Sequence, residues 1–245
     1  MSTPTYILLG GTGGIGAAVT RRLTQQGAQV VIAARGEDRL HALAKETGAT
    51  PHALDATQYE EVQALVKQTT SQYGTLSGVA NFIGSILLKP AHLTSVDEYT
   101  ETIALNLNTS FFLVKAAARA MMKGGGAIVL SSSAVGRTGL VNHEAIAAAK
   151  AGVIGLTQSA AATYANRGIR VNCVAPGLVE TPMTTRITGN DAGRKQSESM
   201  HALGRIGQPD DVAEAVTWLL DGTRSSWVTG QVIGVDGGLG TVRPR

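Results

Sequence analysis

Short apolar runs alternate along the chain with longer segments in which apolar residues recur about every 3.6 positions. The apolar runs predict strands at residues 6–9, 30–33, 52–54, 79–82, 128–130, 171–174 and 232–235, with 52–54 the weakest of them. The periodic segments predict helices at residues 15–26, 37–47, 59–73, 96–122, 142–166 and 210–220. Because the strands are nearly all apolar, they predict a parallel sheet that helices cover on both faces.

This alternation predicts an α/β protein with a doubly wound Rossmann fold, since right-handed crossovers place successive helices on the two faces of such a sheet. No linker or repeat divides the chain, so residues 1–245 are predicted to form one domain. The polar segment 181–204 interrupts the pattern. A polar insert of this length in a compact domain is typical of a functional lid, and the alternative is a disordered loop.

Composition restricts the classes of partner. Of the 245 residues, 43% are hydrophobic and 16% charged, which favours a large core over disorder. The net charge is +3 without a run of Lys or Arg, so we expect no nucleic acid, and no apolar stretch reaches the ~18 residues of a membrane span. The single cysteine, Cys173, is expected to be a buried thiol of a cytoplasmic protein. The predicted partner is therefore a small-molecule substrate.

A glycine-rich turn joins the first predicted strand to the first helix. Gly10, Gly14 and Gly16 allow the backbone to turn tightly and to approach a pyrophosphate, which the N–H groups at a helix N-terminus stabilise. Thr12 and Ile15 belong to the same turn and are included among the predicted cofactor contacts. The turn thus predicts a bound dinucleotide, and a plain glycine-rich turn is the alternative.

The end of the second strand distinguishes the two nicotinamide coenzymes. An acidic residue there would bind the 2′-hydroxyl of NAD, but the chain has Ala33 and Ala34 followed by Arg35, which can bind a 2′-phosphate. NADP(H) is therefore preferred, with NAD(H) as the alternative. Asp55, after the third strand, is predicted to accept a hydrogen bond from the adenine amino group. Arg35 as a solvated charge and Asp55 as a turn residue are the simpler interpretations.

Ordered motifs over nearly the whole chain resemble those of the short-chain dehydrogenase/reductase family. They are Asn81-Phe82-Ile83-Gly84, Asn106-Leu107, Ser131-Ser132-Ser133, Pro176-Gly177 with Thr181, and the segments 203–213 and 229–238. The resemblance implies a seven-stranded parallel sheet, a dimer or tetramer and a nicotinamide-dependent oxidoreductase without a metal. It also implies that Asn81, Pro176, Gly177 and Thr181 contact the coenzyme.

The same resemblance implies an incomplete catalytic set. Asn106, Ser133 and Lys150 match three of its four positions: in the family the serine holds the substrate oxygen, the lysine binds the nicotinamide ribose and the asparagine seats a water. The fourth position, a tyrosine four residues before the lysine, is Ile146 here. A positioned general acid is typically worth about 10²–10⁴ in rate, and Ile146 has no proton to transfer.

His143 is the predicted replacement for the missing acid. It precedes Lys150 by seven residues, which at about 100° each places the two within ~20° of one helix face. Enoyl reductases related to the family have tyrosine at this spacing, so His143, Ile146 and Lys150 resemble their pattern with histidine for tyrosine. The alternatives are a water held near Ser133 and Lys150, or a surface histidine beside a helix N-cap at Asn142.

Two functions remain open from the sequence. The first is an NADP(H)-dependent oxidoreductase that acts on a carbonyl/alcohol pair or an activated C=C bond with a non-standard proton donor. The second is a catalytically weak or inactive NADP(H)-binding protein that serves as a sensor or partner subunit. The sequence also leaves open that Ile146 was introduced by mutation.

Overall fold

The computed structural model describes residues 3–242, in which strands and helices alternate. The strands are β1 (Thr5–Leu9), β2 (Gln29–Ala34), β3 (Thr50–Ala53), β4 (Gly78–Asn81), β5 (Gly126–Ser131), β6 (Ile169–Pro176) and β7 (Val232–Val235). The helices are α1 (Gly14–Gln25), α2 (Glu37–Thr47), α3 (Tyr59–Tyr73), α4 (Val96–Ile103), α5 (Thr109–Met121), α6 (Glu144–Tyr164), α7 (Thr185–Thr188), α8 (Asp191–Met200) and α9 (Pro209–Leu220). The predicted domain also included residues 1–2 and 243–245, which lie outside the described residues.

The seven strands form one sheet in the order β3-β2-β1-β4-β5-β6-β7, and every neighbouring pair is parallel. The predicted seven-stranded parallel sheet is therefore confirmed. The strand order reverses between β1 and β4, where the following connections leave in opposite directions. Such a reversal opens a crevice at the carboxyl ends of the strands, which is where ligands bind in open α/β sheets.

Alternate side chains of β1 show how the sheet is covered. Ile7 and Leu9 pack into a core with residues of α3, α5 and α6, whereas Leu8 packs into a second core with residues of α1, α2 and α9. All three side chains are fully buried. Helices on both faces therefore explain why the strands are apolar at every position, as the pattern predicted.

The predicted helix 96–122 is interrupted by a π-helical turn, Ala104–Asn108, between α4 and α5. The Nδ2 of Asn106 in this turn donates to the carbonyl of Thr102 at 3.0 Å, four residues earlier. A side chain thus takes a carbonyl that the backbone N–H of an α-helix would use, and the local winding widens. Turns of this kind are frequent at functional sites.

Helix α6 begins two residues later than predicted. Helix α6 has His143 as its N-cap, so the prediction of Asn142 as the N-cap was wrong, and the φ of 62° at Asn142 excludes this residue from the helix itself. The N-cap is His143, whose own φ of −117° and ψ of 15° lie outside the helical range. His143 therefore precedes the first helical residue, Glu144, and does not share the regular rotation of α6.

Helix α6 with the turn after it, Glu144–Arg167, is long and apolar enough by length and composition to cross a membrane. In this fold the helix packs along β6, with Ala149 and Val153 fully buried. A core helix of an α/β protein meets the same criterion. One face of α6 is therefore covered by the sheet, whereas Ala148, Ala151 and Ala162 on this helix are exposed.

The polar segment 181–204 is folded around two short helices, α7 and α8, so the disordered alternative is wrong. The Oδ1 of Asn190 accepts from the N–H of Gly193 at 2.7 Å and caps α8. At the end of α8, buried His201 bonds through Nδ1 to the carbonyl of Ser197 at 2.6 Å, and its Nε2 accepts from the N–H of Leu178 at 3.1 Å. The segment is thus anchored to the chain that follows β6.

Candidate active site

A cleft of about 560 Å³ runs along the carboxyl ends of the strands. Each of the first six strands contributes a loop or terminal residue to its wall, from Gly10 after β1 to Pro176 at the end of β6. Typical pockets for small molecules and cofactors have volumes of about 300–1,000 Å³. The crevice that the strand order predicts is therefore a single continuous cleft of suitable size.

The glycine turn forms one wall of this cleft, and it excludes side chains at Gly10 and Gly16. Gly10 has φ +72°, and a Cβ on Gly16 would lie 2.3 Å from the carbonyl oxygen of Gly10. At the N-cap of α1, Gly13 has no side chain to bond the first N–H groups of the helix. Thr12, Gly14 and Ile15 line the same wall. The turn therefore presents backbone N–H groups and the positive end of a helix dipole to the cleft, which fits a pyrophosphate.

Charged residues line the cleft beyond β2 and β3. Arg35 is exposed, and the carboxylate of Asp55 accepts from the N–H of Thr57 at 2.9 Å and from its hydroxyl at 2.8 Å. These bonds, first the backbone one, and to a smaller extent the charge of Arg35 hold the pKa of Asp55 below its ordinary value. Arg39, on the first turn of α2, also lines this end. Arg39 was not among the predicted site residues, although its position one turn after Arg35 was the available signal.

Lys150 lies at the opposite end of the cleft. Its side chain is 7% exposed, and Nζ donates to the carbonyl of Ser131 at 2.9 Å. Burial of the ammonium lowers the pKa of Lys150 to about 8. The predicted site lysine is therefore a cleft residue that sits near its own titration point at neutral pH.

Asn106 is fully buried at the wall of the cleft, and its carboxamide is bonded within the protein. Oδ1 accepts from the N–H of Ser85 at 3.2 Å, while Nδ2 donates to the hydroxyl of Ser85 at 3.0 Å and to the carbonyl of Thr102. Asn106 thus connects the π-helical turn to the loop after β4. In this arrangement it braces the backbone that forms the cleft wall.

The three serines at the end of β5 make different contacts. Ser131 offers its carbonyl to Lys150, and the hydroxyl of Ser132 donates to the carbonyl of Lys150 at 2.8 Å. The hydroxyl of Ser133 has only long contacts, 3.5 Å to the carbonyl of Pro176 and 3.4 Å from the N–H of Val135. Ser133 is therefore the weakly held hydroxyl of the cleft, available to bond a substrate oxygen.

Ile146 lies one helical turn before Lys150 and lines the same end of the cleft, with 4% of its surface exposed. The segment 181–204 contributes Thr181, whose side chain stands so close to Gly14 that a Cβ at Gly14 would lie 2.6 Å from the Cγ2 of Thr181. Pro176, Gly177 and Met183 complete this part of the wall. The inner cleft is thus apolar around one amine and one weakly bonded hydroxyl.

Two predicted site residues are not brought to the cleft. The buried Nδ2 of Asn81 donates to the hydroxyls of Thr109 and Ser110, each at 3.0 Å, so it ties β4 to α5 behind the wall. The Nδ1 of His143 lies 2.7 Å from the carbonyl of Val141, and because a carbonyl can only accept, Nδ1 carries the proton. His143 faces its own loop, and neither residue lines the cleft.

The parallel sheet, its crevice and the glycine turn define a Rossmann-type α/β protein. The sequence matches the family model described as Enoyl-(Acyl carrier protein) reductase over residues 10–240. It is 36% identical to the 2,5-dichloro-2,5-cyclohexadiene-1,4-diol dehydrogenase of Sphingobium indicum, with 98% of each chain covered. It is also 36% identical to the 3-oxoacyl-(acyl-carrier-protein) reductase of Thermotoga maritima, with 95% of this chain and 96% of the reductase covered.

Solved structures agree with these relatives. A short-chain type dehydrogenase/reductase from Mycobacterium ulcerans matches with a TM-score of 0.94 and 32% identity, covering 100% of this chain and 93% of that one. A variant of actinorhodin polyketide ketoreductase with NADPH matches with a TM-score of 0.92 and 29% identity, covering 99% and 100%. The chain belongs to the short-chain dehydrogenase/reductase family, which confirms the resemblance stated from its motifs.

Proposed function

We propose that this protein is an NADP(H)-dependent oxidoreductase that interconverts a carbonyl and an alcohol with a non-standard proton donor. The observation that carries the proposal is a single cleft with a phosphate-binding turn, two arginines at one end, and Ser133 beside Lys150 at the other. The ketoreductase of similar structure was solved with NADPH, and the relatives named above are dehydrogenases and reductases.

The cleft residues suit the parts of this coenzyme. The glycine turn and the N-terminus of α1 bind the pyrophosphate, Arg35 and Arg39 bind the 2′-phosphate, and Asp55 accepts from the adenine amino group. Lys150 bonds a ribose hydroxyl, and Pro176, Gly177 and Thr181 surround the nicotinamide. When bound, the coenzyme supplies or accepts the hydride.

Ser133 holds the substrate oxygen in this proposal. Its hydroxyl makes only contacts of 3.4 and 3.5 Å within the protein, so it can turn toward a carbonyl without losing a strong bond. The inner wall around it carries Ile146 and Met183, which fit an apolar body next to the reacting group. We therefore favour a ketone or 3-oxoacyl thioester, with an activated C=C bond as the alternative substrate.

Ile146 stands at the position where the family has its tyrosine, so the proton must come from another group. His143 stays a prediction, and its test is the loss of turnover in a His143→Ala variant. The dimer or tetramer, the cytoplasmic location and the lid function of residues 181–204 likewise stay predictions. Size-exclusion chromatography with light scattering tests the first of these.

Coenzyme binding is the first experiment. Isothermal titration of the free protein with NADPH and NADH should show tighter binding of NADPH. Charge-assisted hydrogen bonds are worth about 1.5–3 kcal/mol, so Arg35→Ala and Arg39→Ala should each weaken NADPH binding by roughly 10- to 150-fold and leave NADH unchanged. Arg119→Ala is the matched control. Arg119 is exposed and lies near the C-terminal end of α5, which leads away from the cleft toward the opposite edge of the sheet. No affinity for either coenzyme would refute the proposal.

Turnover is the second experiment. NADPH oxidation is followed with acetoacetyl-coenzyme A, 4-methylcyclohexanone and crotonyl-coenzyme A as probes of the three substrate types. Reduction of either ketone supports the proposal, and reduction of crotonyl-coenzyme A alone supports the C=C alternative. Tight NADPH binding without turnover on all three would instead favour a coenzyme-binding protein that lacks activity.

A further inference from the structure

Ionisable side chains are unevenly distributed along the cleft. Among the described residues that line it they are Arg35, Arg39, Asp55 and Lys150, and the first three follow β2 and β3 at the adenosine end. The end formed by β5 and α6 has Lys150 alone. A substrate held at Ser133 therefore has one ionisable side chain at its end of the cleft with which it can exchange a proton, namely Lys150.

We propose that Lys150 is the acid–base group of this site and that its Nζ donates the proton to the substrate oxygen during reduction. This inference rests on the proposed function and names the donor that the function lacks. It differs from a lysine that only binds ribose or tunes a phenol, since the amine itself changes protonation state in each turnover.

The surroundings of Nζ fit a group that releases a proton. The bond to the carbonyl of Ser131 is neutral, and no carboxylate forms an ion pair with Lys150 within residues 3–242. Ile146, on the same face of α6 one turn earlier, adds hydrocarbon where a phenol would have added a polar atom. The thiol of Cys173 on β6 would oppose this effect if it were ionised, but burial raises the pKa of Cys173 to about 11, so the thiol is neutral near pH 8. A buried ammonium without a counter-charge favours the neutral amine.

The pKa of Lys150, lowered to about 8 by this burial, agrees with the role. At pH 7 most molecules then carry the ammonium needed for reduction, and above pH 8 most carry the amine needed to take a proton from an alcohol. A catalytic acid is most effective when its pKa lies near the working pH. An ordinary lysine would instead hold its proton too firmly.

Nζ also has room to reach a ligand. An ammonium has three N–H donors, and one is used on Ser131. A Cβ at Gly84 would lie 3.4 Å from Nζ and 2.7 Å from the Oδ1 of Asn106, so glycine there leaves space beside the amine. The remaining donors can therefore serve a ribose hydroxyl and a substrate oxygen, directly or through that hydroxyl.

The step balances without a further reactant. During reduction the carbonyl carbon would gain a hydride with its two electrons from the reduced nicotinamide coenzyme, which would be oxidised, while one N–H bond of Lys150 breaks and an O–H bond forms on the substrate. The neutral amine left behind takes a proton from water. In the reverse direction the amine accepts the alcohol proton as the carbon loses its hydride, and water then receives that proton.

The first test needs neither coenzyme nor substrate. Protein labelled with ¹⁵N at lysine Nζ is titrated by NMR, and the Lys150 signal is assigned by its loss in Lys150→Met. That signal should titrate near pH 8 and persist in Lys67→Met, a matched control because Lys67 is exposed on α3. A Lys150 signal that remains fully protonated at pH 10 would overturn the proposal.

The second test uses the coenzyme-loaded protein. With acetoacetyl-coenzyme A and saturating NADPH, kcat/KM for reduction should fall about tenfold per pH unit above pH 8. Lys150→Arg keeps a cation for the ribose but cannot release its proton, so kcat should fall at least about 10²-fold and the break near pH 8 should vanish. Lys67→Met should retain both kcat and the break.

The outcomes separate this proposal from the function on which it rests. Absence of wild-type turnover would overturn the proposed function and this role with it. Turnover in Lys150→Arg above a tenth of the wild-type kcat with an unchanged break would overturn the lysine role alone. Loss of the break in His143→Gln would also overturn it, because the titrating acid would then be the histidine. An effect of Lys150→Arg on coenzyme affinity without an effect on kcat would leave a ribose ligand only.

Discussion

Replacing Lys150 by methionine should change how the stability of the free protein depends on pH. Methionine has a similar length but no charge, so the variant keeps most of the packing and loses the ionisable group. The side chain of Lys150 is 7% exposed, and burial lowers its pKa from the ordinary 10.5 to about 8. The folded state therefore holds this proton less tightly than the unfolded state does.

The direction and size follow from that difference. Below pH 8 both states carry the proton, and the folded state bears a cost of about 3 kcal/mol, at about 1.4 kcal/mol per pH unit. Between pH 8 and 10.5 the unfolded state binds more protons, so the wild-type protein gains stability as the pH rises. From pH 7 to pH 10 this gain should amount to about 2.5 kcal/mol.

Urea denaturation of both proteins at pH 7, 8.5 and 10, without coenzyme, measures this gain. Methionine also loses the hydrogen bond to Ser131, so the useful quantity is the change with pH in the stability difference between the two proteins. Buried Cys173 has the opposite effect on the pH dependence of stability. Burial raises its pKa to about 11, so as the pH rises the thiol ionises first in the unfolded state and stabilises that state. Both proteins contain Cys173, so its contribution cancels apart from the charge interaction between Cys173 and Lys150, which the methionine variant lacks. Two stability curves that stay parallel from pH 7 to pH 10 would refute the buried, uncompensated ammonium.

Three further predictions test other parts of the site. In the Lys150→Arg background, which has no side chain that releases its proton, Ile146→Tyr should raise kcat for ketone reduction at saturating NADPH toward the ~10²–10⁴ that a positioned acid contributes, and an unchanged kcat would contradict the assignment of position 146. Asn81→Ala should destabilise the fold by about 1–3 kcal/mol in urea denaturation, because buried hydroxyls on α5 lose their partner, while the Kd for NADPH stays within about twofold. A large loss of NADPH affinity at unchanged stability would instead make Asn81 a coenzyme ligand. His201→Phe should raise hydrogen exchange in residues 178–201 and raise KM for the substrate, since both anchors of α8 are lost; unaltered exchange in that segment would show that the histidine does not hold it.

Much of the fold was predictable because its periodic signals are long. Uniformly apolar strands and regular helices identified the parallel sheet, and the glycine turn located the cleft at its carboxyl edge. Two features were not predictable, because each depends on one local conformation. The π-helical turn needs the bond from Asn106 to Thr102, and the start of α6 depends on the positive φ of Asn142.

The site residues likewise divide into those that motifs identified and those that depend on local conformation. Gly10, Ser133 and Lys150 were identified from motifs and lie in the cleft. His143 was placed on the face of Lys150 by helical rotation, but that rotation applies only inside a helix, and His143 is the residue before it. Arg39 was missed because its relevance depends on the direction in which α2 leaves the cleft.

The end of strand β5 makes two hydrogen bonds with Lys150. The carbonyl of Ser131 accepts from Nζ, and the hydroxyl of Ser132 donates to the backbone carbonyl of Lys150. The amine is consequently located by the end of β5 and not by the segment 181–204. Engineering of that segment to accept other molecules should therefore leave the proton chemistry in place. The position of the amine and the shape of the segment 181–204 are thus set by different parts of the chain.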